Sequence, residues 1–516
     1  MKRIFLFAAI FFAAGVMAET SVNWCSAITN NAEFGASSVT SVMAYADSSV
    51  LIAGRFATCT ETPDAATFLN EQVVGAPFTP TMSQSNNNLL ITKVAPNGDV
   101  LWMLHSDRGT GEALAVPTAD GGALVFATMT HTQKNALGDD YILRLKNKEE
   151  ELCSAKRTYD GVNTIQYGLV LRVTKDGKAS VSAEISNTGE NKNAFGAINW
   201  TNDDEHYYLL LNDTADITVN TETISPETGG SMVVLVFDQE GQYKRELHTS
   251  DHPITSRSGQ LICRGNNLYV ATVMEAEELQ NIYLYRWSLT SDDHQADTIW
   301  GAKENNKNVI QVKALYVDEK EEFAYVVGGL NGGIKIGQDT LHQTSGSLVP
   351  FIVKYDLTQR DIVNGYAHAS TGIGGASAIF AREDTLYVYE YDWGSTSGNR
   401  IRLEAFDASL EPQKEIGLLN TQAMEVSKDG IMVGDDVVFN INTGKGATLS
   451  FVADPEQTLT TPVISGFVAS VHLFEPTSSE GIENLQQIKK AQKQLRDGQI
   501  VIIRNNTTYS IIGQQL

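Results

Sequence analysis

A four-strand unit repeats along most of the chain, and this repeat constrains the fold more than any other feature. In each copy an apolar segment of alternating polarity enters a polar turn and leaves as a second such segment. Residues 89–102 (LLITKVAPNGDVLW) and 168–181 (GLVLRVTKDGKASV) are examples, and further copies occupy residues 232–247, 282–300, 351–366 and 401–416. A period of two residues is typical of half-buried β-strands. The sequence therefore predicts an all-β fold.

A second pair of strands lies between successive copies, at residues 113–129, 259–273, 312–327 and 377–391. Together the two pairs form a unit of four strands, named a to d in chain order. The turns between strands c and d contain Gly98, Gly177 and Gly241, which supply the positive φ that a tight hairpin needs. Units of roughly 45 to 80 residues with four strands each are typical of propeller blades.

The two ends of the repeat determine the number of blades. Residues 22–29 (VNWCSAIT) read as a strand d without its first three strands, and residues 422–473 supply strands a, b and c without a clear strand d. We therefore expect the N-terminal strand to complete the last blade and close the ring. This predicts an all-β, seven-bladed β-propeller. Eight blades are the alternative, if residues 448–452 form a strand of an additional blade.

The units resemble the bacterial β-propeller repeat of secreted proteins, whose third and fourth strands follow the pattern F-[VI]-x-[KR]-[YLV]-[DN]-x-x-G-x-x-x-W. The resemblance covers most of the chain after residue 21, and it implies a propeller fold. It implies no particular activity, because propellers host many unrelated functions.

The N-terminus has the features of a signal peptide. Lys2 and Arg3 precede an apolar run at residues 4–14, and Val16 and Ala18 occupy the −3 and −1 positions of a cleavage site. We therefore predict a signal peptide at residues 1–18, a propeller at 19–476, and a linker with a tail at 477–516. The expected location is secreted, periplasmic or at the outer cell surface. The apolar run is shorter than the roughly 20 residues of a membrane span, so no integral membrane segment is expected.

The tail has a pattern of its own. Residues 482–496 (IENLQQIKKAQKQLR) predict a short helix, and residues 498–516 (GQIVIIRNNTTYSIIGQQL) predict a hairpin that turns at Asn505-Asn506. This end resembles the terminal segment of many Bacteroidota-type secreted proteins, although Asn506 stands where glycine is usual. The resemblance implies that the tail is a sorting signal recognised by export machinery.

Composition and cysteine usage exclude some partners and cofactors. The chain has 38 Lys and Arg against 62 Asp and Glu, a formal net charge of −24, which disfavours binding to nucleic acid. Its cysteines, Cys25, Cys59, Cys153 and Cys263, show no metal-binding spacing, and we predict no cofactor. Four cysteines allow three pairings; Cys59–Cys153 is the pairing that we take as a hypothesis, and the sequence leaves the others open.

The chain carries none of the common catalytic motifs, such as G-x-S-x-G or H-E-x-x-H. The sequence therefore favours an exported, non-enzymatic binding protein with a glycan or protein ligand. One alternative is a propeller-type carbohydrate-active enzyme, a hydrolase or lyase whose site takes one residue from each blade. Another is a structural component of the cell envelope.

Three histidines recur where strand d ends. They are His105, His248 and His368, and Asp107 and Asp251 follow the first two. We predict these five residues to be ligand-binding. The connections between strands b and c leave each blade at the same end and carry insertions at residues 57–88, 130–166, 212–230, 331–349 and 440–465. Variable loops on a rigid scaffold are the usual place for binding.

Overall fold

The structure of the protein is a computed structural model, and the residues it describes form only strands, turns and irregular segments. The all-β prediction is thus confirmed for the described part of the chain. The chain divides into two compact units, Ser21–His472 and the terminal segments Met1–Thr20 with Leu473–Leu516. The described residues are 20–30, 37–58, 65–69, 71–74, 86–109, 113–130, 140–147, 150–158, 166–187, 196–203, 205–212, 216–225, 232–248, 259–276, 279–291, 297–301, 309–336, 339–342, 348–368, 373–393, 399–421, 426–444, 446–452, 454–456, 458–460, 465–473, 492–496, 499–504 and 507–510.

The larger unit contains seven antiparallel blades. The chain enters through β1 (Thr20–Ala27) and β2 (Thr29–Asn30). Blade 1 has β3 (Ser38–Ala44), β4 (Val50–Thr58), β7 (Asn86–Val94) and β8 (Val100–Gly109), with β5 (Ala65–Phe68) and β6 (Glu71–Val74) inserted. Blade 2 has β9 (Ala113–Pro117), β10 (Ala123–Thr130), β13 (Gln166–Val173) and β14 (Ala179–Asn187), with β11 (Asp140–Asn147) and β12 (Glu150–Thr158) inserted. Blade 3 has β15 (Gly196–Asn202), β16 (Tyr207–Asn212), β19 (Met232–Phe237) and β20 (Tyr243–His248), with β17 (Ile217–Val219) and β18 (Glu222–Ile224) inserted.

The remaining blades follow the same order. Blade 4 has β21 (Gly259–Arg264), β22 (Asn267–Ala276), β23 (Leu279–Ser288) and β24 (Asp297–Gly301). Blade 5 has β25 (Val309–Val317), β26 (Phe323–Asn331), β29 (Val349–Asp356) and β30 (Asp361–Ala367), with β27 (Gly333–Ile336) and β28 (Asp339–His342) inserted. Blade 6 has β31 (Ile373–Arg382), β32 (Thr385–Trp393), β33 (Asn399–Phe406) and β34 (Pro412–Thr421). Blade 7 has β35 (Val426–Val433), β36 (Asp436–Thr443) and β39 (Ser465–Leu473), with β37 (Thr448–Phe451) and β38 (Thr458–Thr460) inserted.

The N-terminal strand closes the ring. Strand β1 lies beside β39 and so supplies strand d of blade 7, where the Asn23 side chain donates to Ser470 Oγ at 3.2 Å. The predicted closure and the count of seven blades are confirmed. The eight-blade alternative is wrong, because Thr448–Phe451 pairs with strand d of blade 6 instead of starting a blade of its own.

The insertions of blades 2, 3 and 7 become edge strands of the preceding blade, whereas β27 and β28 of blade 5 form a separate two-stranded sheet. The insertion of blade 2 pairs through β11 with β8 of blade 1, that of blade 3 pairs through β17 with β14 of blade 2, and that of blade 7 pairs through β37 with β34 of blade 6. These three sheets therefore have six strands. An outer strand presents unpaired N–H and C=O groups, so the added hairpins cover an edge. Part of each predicted binding loop thus serves backbone pairing.

The glycine and the tryptophan of the repeat pattern meet across neighbouring blades. Gly177, at φ +75°, lies in the c–d turn of blade 2, and a Cβ built on it would lie 2.9 Å from Trp102 Cβ in strand d of blade 1. Gly98, at φ +89°, approaches Trp24 of blade 7 in the same way, at 2.8 Å from Trp24 Cγ. Only glycine allows both this backbone conformation and this approach. The Gly-x-x-x-Trp spacing therefore specifies how one blade packs on the next.

The basic residue of the pattern also joins neighbouring blades. Lys93 Nζ lies 3.9 Å from the centroid of the Tyr45 ring and donates to Gly121 O of blade 2 at 3.1 Å. Lys354, at the equivalent place in blade 5, donates to Ala408 O of blade 6 at 2.8 Å. A partly buried cation over an aromatic ring is a favourable contact. These lysines therefore have a structural role.

The apolar core is divided among the seams between blades. Val116 and Phe126 of blade 2 pack in one cluster with Leu209 of blade 3. Ile352 of blade 5 packs in another cluster with Phe406 of blade 6. Because each blade has a neighbour on both faces, side chains that alternate along a strand are buried on either side.

The smaller unit contains a three-stranded sheet of β40 (Gln492–Arg496), β41 (Gln499–Arg504) and β42 (Thr507–Ser510). Strands β41 and β42 occupy the segment predicted as a hairpin. Strand β40 covers the last five residues of the segment predicted as a helix, because its backbone pairs with the neighbouring β41. Residues 482–491 lie outside the described residues, and there the helix stays a prediction.

The predicted signal peptide, residues 1–18, and the predicted boundary after residue 476 also lie outside the described residues. In the part of the chain that the structure describes, no helix is long and apolar enough to cross a membrane. The signal peptide and the location stay predictions.

Candidate functional site

The three histidines of the predicted binding rim all lie at the end of strand d. His105 is opposite Leu90 in blade 1, and His248 is opposite Val233 in blade 3, which is the same place in the repeat. His368 directly follows β30 in blade 5 and donates its backbone N–H to Pro350 O at 3.0 Å. Their role in ligand binding stays a prediction.

The surroundings of these histidines differ. His105 is only 1% exposed, because the added strand β11 pairs beside it through Lys146, and its ring lies 6.3 Å from that of Phe56. His248 is half-buried, with Nε2 3.6 Å from Glu246 Oε1. The side chain of Asp107 and the whole of Asp251 lie outside the described part of the chain.

His368 lies near a group of charged side chains on blade 6 that the sequence analysis did not single out. Arg402, Asp392, Glu415 and Arg400 all act on its charge. We call the charged group the seam cluster, and its members are Glu390 and Asp392 on β32, Arg400, Arg402 and Glu404 on β33, and Glu415 on β34.

The seam cluster lies on the face of blade 6 that meets blade 5. Strand c of blade 6 can be aligned with strand c of blade 5 at the aspartate that begins each c–d turn. In this alignment Arg402 and Glu404 correspond to Phe351 and Val353, which pack against blade 4 in an apolar cluster. The same positions in blades 2 and 3 also pack against the preceding blade; they are Leu169, Leu171, Val233 and Leu235. From blade 5, the Tyr366 ring approaches Phe406 with centroids 5.2 Å apart.

Strand register brings the charges together. Glu390 is directly opposite Arg402, and Asp392 is opposite Arg400. Glu404 is opposite Glu415 on the next strand. Directly opposed residues of neighbouring strands point to the same face and lie about 5 Å apart. The six side chains therefore form one continuous polar patch.

Arg402 is the centre of this patch. Its Nη2 and Nε donate to Glu390 Oε2 at 2.9 and 3.2 Å, and its Nη1 lies 3.9 Å from Asp392 Oδ2. The side chain of Arg402 is 1% exposed, and those of Glu390 and Asp392 are 3% exposed. Arg400 Nη1 and Glu415 Oε1 form an ion pair at 3.2 Å, with 32% and 42% exposure. The cluster thus has a buried floor and an exposed rim.

Burial changes the ionisation of the floor. It raises the pKa of Glu390 to about 8, and the neighbouring Glu404 carboxylate adds to this rise while Arg402 opposes it. Burial also raises the pKa of Glu404, and this rise is opposed by the charge of Arg402 and by a hydrogen bond from Glu390. Near neutral pH, Glu390 therefore keeps its proton, and the pKa of the neighbouring Glu404 also lies above that of an ordinary glutamate. Burial, with help from Arg402, lowers the pKa of His368, so its imidazole is neutral there.

The seam also holds unsatisfied polar atoms. Arg402 Nη1, Glu404 Oε2, Arg400 Nε and His368 Nδ1 are removed from solvent and have no hydrogen-bond partner among the described residues. A buried polar atom without a partner costs roughly 1–3 kcal/mol, and such atoms are rare. These four atoms give the seam a capacity for hydrogen bonds that the described residues do not use.

A signal for the seam cluster exists in the sequence. When the repeats are aligned at the c–d turn, Arg402 and Glu404 stand where blades 2, 3 and 5 have apolar residues. Comparison between repeats would therefore have found them. The search for motifs missed them because the charges alternate along strands, as they do on any solvated strand face.

The cysteines and the acidic groups give no metal site in the part of the chain that the structure describes. Cys153 is a free thiol whose pKa burial raises to about 11, and Cys59 lies outside the described residues. Because Cys59 is not described, the Cys59–Cys153 bridge stays a prediction.

No family model matches the chain, and no curated protein matches it. Similar solved structures include the β-propeller domain of the Trilobed protease from Pyrococcus furiosus, at 9% identity and a TM-score of 0.40, covering 82% of this chain and 97% of that one. A protein of unknown function from Dyadobacter fermentans is 11% identical with a TM-score of 0.38, covering 88% and 99%. The Synechocystis apocarotenoid oxygenase is 8% identical with a TM-score of 0.33, covering 78% and 92%. At such identities the likeness concerns the fold alone.

Proposed function

We propose that the protein is an exported binding protein and that the seam cluster binds hydroxyl groups of a glycan. The observation that carries this proposal is the set of four buried polar atoms without partners at one seam. A sugar hydroxyl donates one hydrogen bond and accepts others. At the exposed rim of the seam, a hydroxyl can therefore accept from the Arg400 guanidinium and donate to the Glu415 carboxylate at the same time.

The rim provides the access that the floor lacks. Arg400 and Glu415 are partly exposed and lie on strands, so their positions are fixed by the sheet. A carboxylate and a guanidinium side by side fit neighbouring hydroxyl groups of a sugar ring. The cluster has four carboxylates and two guanidiniums, and this excess of negative charge disfavours acidic sugars. The ligand that we propose is a neutral or amino-substituted glycan.

One observation favours a hydrolase as the second candidate. Glu390 and Glu404 are neighbouring carboxyl groups whose pKa values burial raises, and a pair of carboxyl groups with a raised pKa on the acid is also what glycoside hydrolysis uses. Both are at most 6% exposed, however, and Arg402 occupies one oxygen of Glu390. A catalytic pair must reach the reacting bond. Binding without turnover is therefore the function that we favour.

The test uses a glycan array, followed by titration of each hit with the purified protein. The variants Arg400→Ala and Glu415→Ala should each weaken binding by about tenfold or more, because a hydrogen bond to a charged group contributes about 1.5–3 kcal/mol. Arg382→Ala and Asp435→Ala are matched controls. The ion pair between Arg382 and Asp435 has an N···O distance of 2.7 Å, and its side chains are 31% and 53% exposed. It lies at the end of strand β31 that is away from the seam cluster.

The two control variants should bind the glycan with the affinity of the wild-type protein. The proposal is wrong if no glycan binds, or if the seam variants and the control variants lose affinity alike. Turnover of chromogenic glycosides that Glu404→Gln abolishes would establish the hydrolase instead. Export itself is tested by following removal of residues 1–18 from the cellular protein.

A further inference from the structure

The floor of the seam cluster holds more negative charge than its one buried cation can neutralise. Glu390 and Glu404 lie on neighbouring strands, and the buried Arg402 gives both of its short contacts to Glu390 Oε2. Asp392 is also buried, at 3.9 Å from Arg402 Nη1. Glu404 is 6% exposed. Ionised carboxylates that are removed from water and only partly paired strongly destabilise the packing around them.

The two faces of this seam belong to different blades. Arg402 and Glu404 are on blade 6, and Tyr366 and His368 face them from strand d of blade 5. Charge that accumulates on the floor therefore acts on the contact between two blades. From this geometry we infer that the seam between blades 5 and 6 is a proton-operated latch, closed while Glu390 and Glu404 share one proton and loosened when both are ionised.

The direction of the pH effect follows from proton linkage. The pKa of Glu390 is about 8 in the folded protein against 4.5 for an ordinary glutamate. The folded state therefore binds this proton more tightly than the unfolded state does. The stability that results is fully present below pH 4.5 and is lost as the pH rises through 8.

The other titratable groups at the seam do not produce this loss of stability between pH 4.5 and 8. The pKa of His368 is lowered by burial, so its contribution has the opposite sign and ends near pH 6.5. The pKa of Tyr366 is raised to about 12, chiefly by burial, which places its effect above pH 10. The remaining charged neighbours are Asp392, Arg400, Arg402 and Glu415 on blade 6. All of these are unchanged in the variant that tests the latch.

The experiment measures urea midpoints between pH 5 and 9.5 for the wild-type protein and for Glu390→Gln. Glutamine accepts from Arg402 and donates to Glu404 at every pH, so it imitates the closed latch permanently. We expect the wild-type midpoint to fall relative to the variant as the pH rises to about 8–9, with a constant difference above that. Glu404→Gln should reduce the same pH dependence, because it removes the neighbouring carboxylate but leaves Glu390 buried. Glu415→Gln, which changes the exposed rim, should retain it.

Parallel profiles for the wild type and both buried variants would overturn the inference. Should neither buried variant fold, the wild type alone decides: infrared difference spectra should show a protonated carboxyl group at pH 7 that disappears above pH 9 or on unfolding. Absence of that band would also overturn the inference. No ligand enters these measurements, so their failure leaves the glycan proposal standing, and failure of the glycan array leaves the latch standing.

Discussion

The contact between a turn glycine and a strand tryptophan can be tested by adding a single methyl group. Gly177 has φ +75° and lies beneath Trp102 of the preceding blade, whereas Gly446 has φ +76° and nothing within 4 Å of its would-be Cβ. An L residue in this conformation costs about 1–2 kcal/mol. Overpacking against a neighbour costs about a further 1–3 kcal/mol. We therefore expect Gly177→Ala to destabilise the protein by about 2–5 kcal/mol and Gly446→Ala by about 1–2 kcal/mol.

The assay is the urea midpoint at pH 7, with the slope of each transition checked to be unchanged. The difference between the two variants isolates the packing cost, since the φ angles of the two glycines match. A second measurement uses Trp102→Ala, which removes the obstructing side chain. In that background Gly177→Ala should cost no more than Gly446→Ala does, so the two changes will not be additive. Equal midpoint shifts for the two glycine variants in the wild-type background would refute the proposed role of the Gly-x-x-x-Trp spacing.

Further predictions concern the seam, the ring and the tail. Arg402→Met should destabilise the protein by about 3–5 kcal/mol at pH 7, because it leaves buried carboxylates unpaired, and by less at pH 5; a pH-independent loss in urea unfolding would contradict this. Deleting residues 20–30 removes strand d of blade 7 and should broaden the thermal transition and cause aggregation; an unchanged transition would contradict closure by β1. Replacing residues 140–158 with a short linker uncovers the edge of β8, and light scattering should then show association that rises with concentration; a protein that stays monodisperse would contradict a protective role. Deleting residues 481–516 should leave the urea midpoint unchanged while the protein accumulates in the periplasm; misfolding would show that the tail is part of the fold.

Most of the fold could be predicted because its determinants are local. Strand alternation recurs in each unit, and the turn glycine and the basic residue recur in several of them, so the repeats support one another as evidence for the same pattern. Closure by β1 followed from the unequal ends, since a strand d at the N-terminus and three strands at the C-terminus fit only as one blade. The strands and turns depend on residues a few positions apart, and ring closure followed from comparing the two ends of the repeat.

The pairing partners of the insertions could not be predicted in this way. Strand β37 is short, and nothing in its own sequence shows whether it starts a blade or extends one. Its place is decided by the free edge of β34 on the neighbouring blade, through pairs such as Leu419 with Phe451. The same holds for β11, whose addition buries His105. The pairing of an insertion with a neighbouring blade joins strands that are distant in sequence, and the repeat pattern does not encode this pairing.

The seam cluster is better explained by function than by stability. At the places of Arg402 and Glu404, blade 5 has Phe351 and Val353, both fully buried in an apolar cluster. The fold thus accepts apolar residues here, and replacing a buried ion network by well-packed apolar residues is often neutral or stabilising by about 1–4 kcal/mol. A chain that keeps four carboxylates and two guanidiniums at one seam forgoes that stability. Departures from local rules of this kind are concentrated at functional sites, which is why blade 6 is where we expect the ligand.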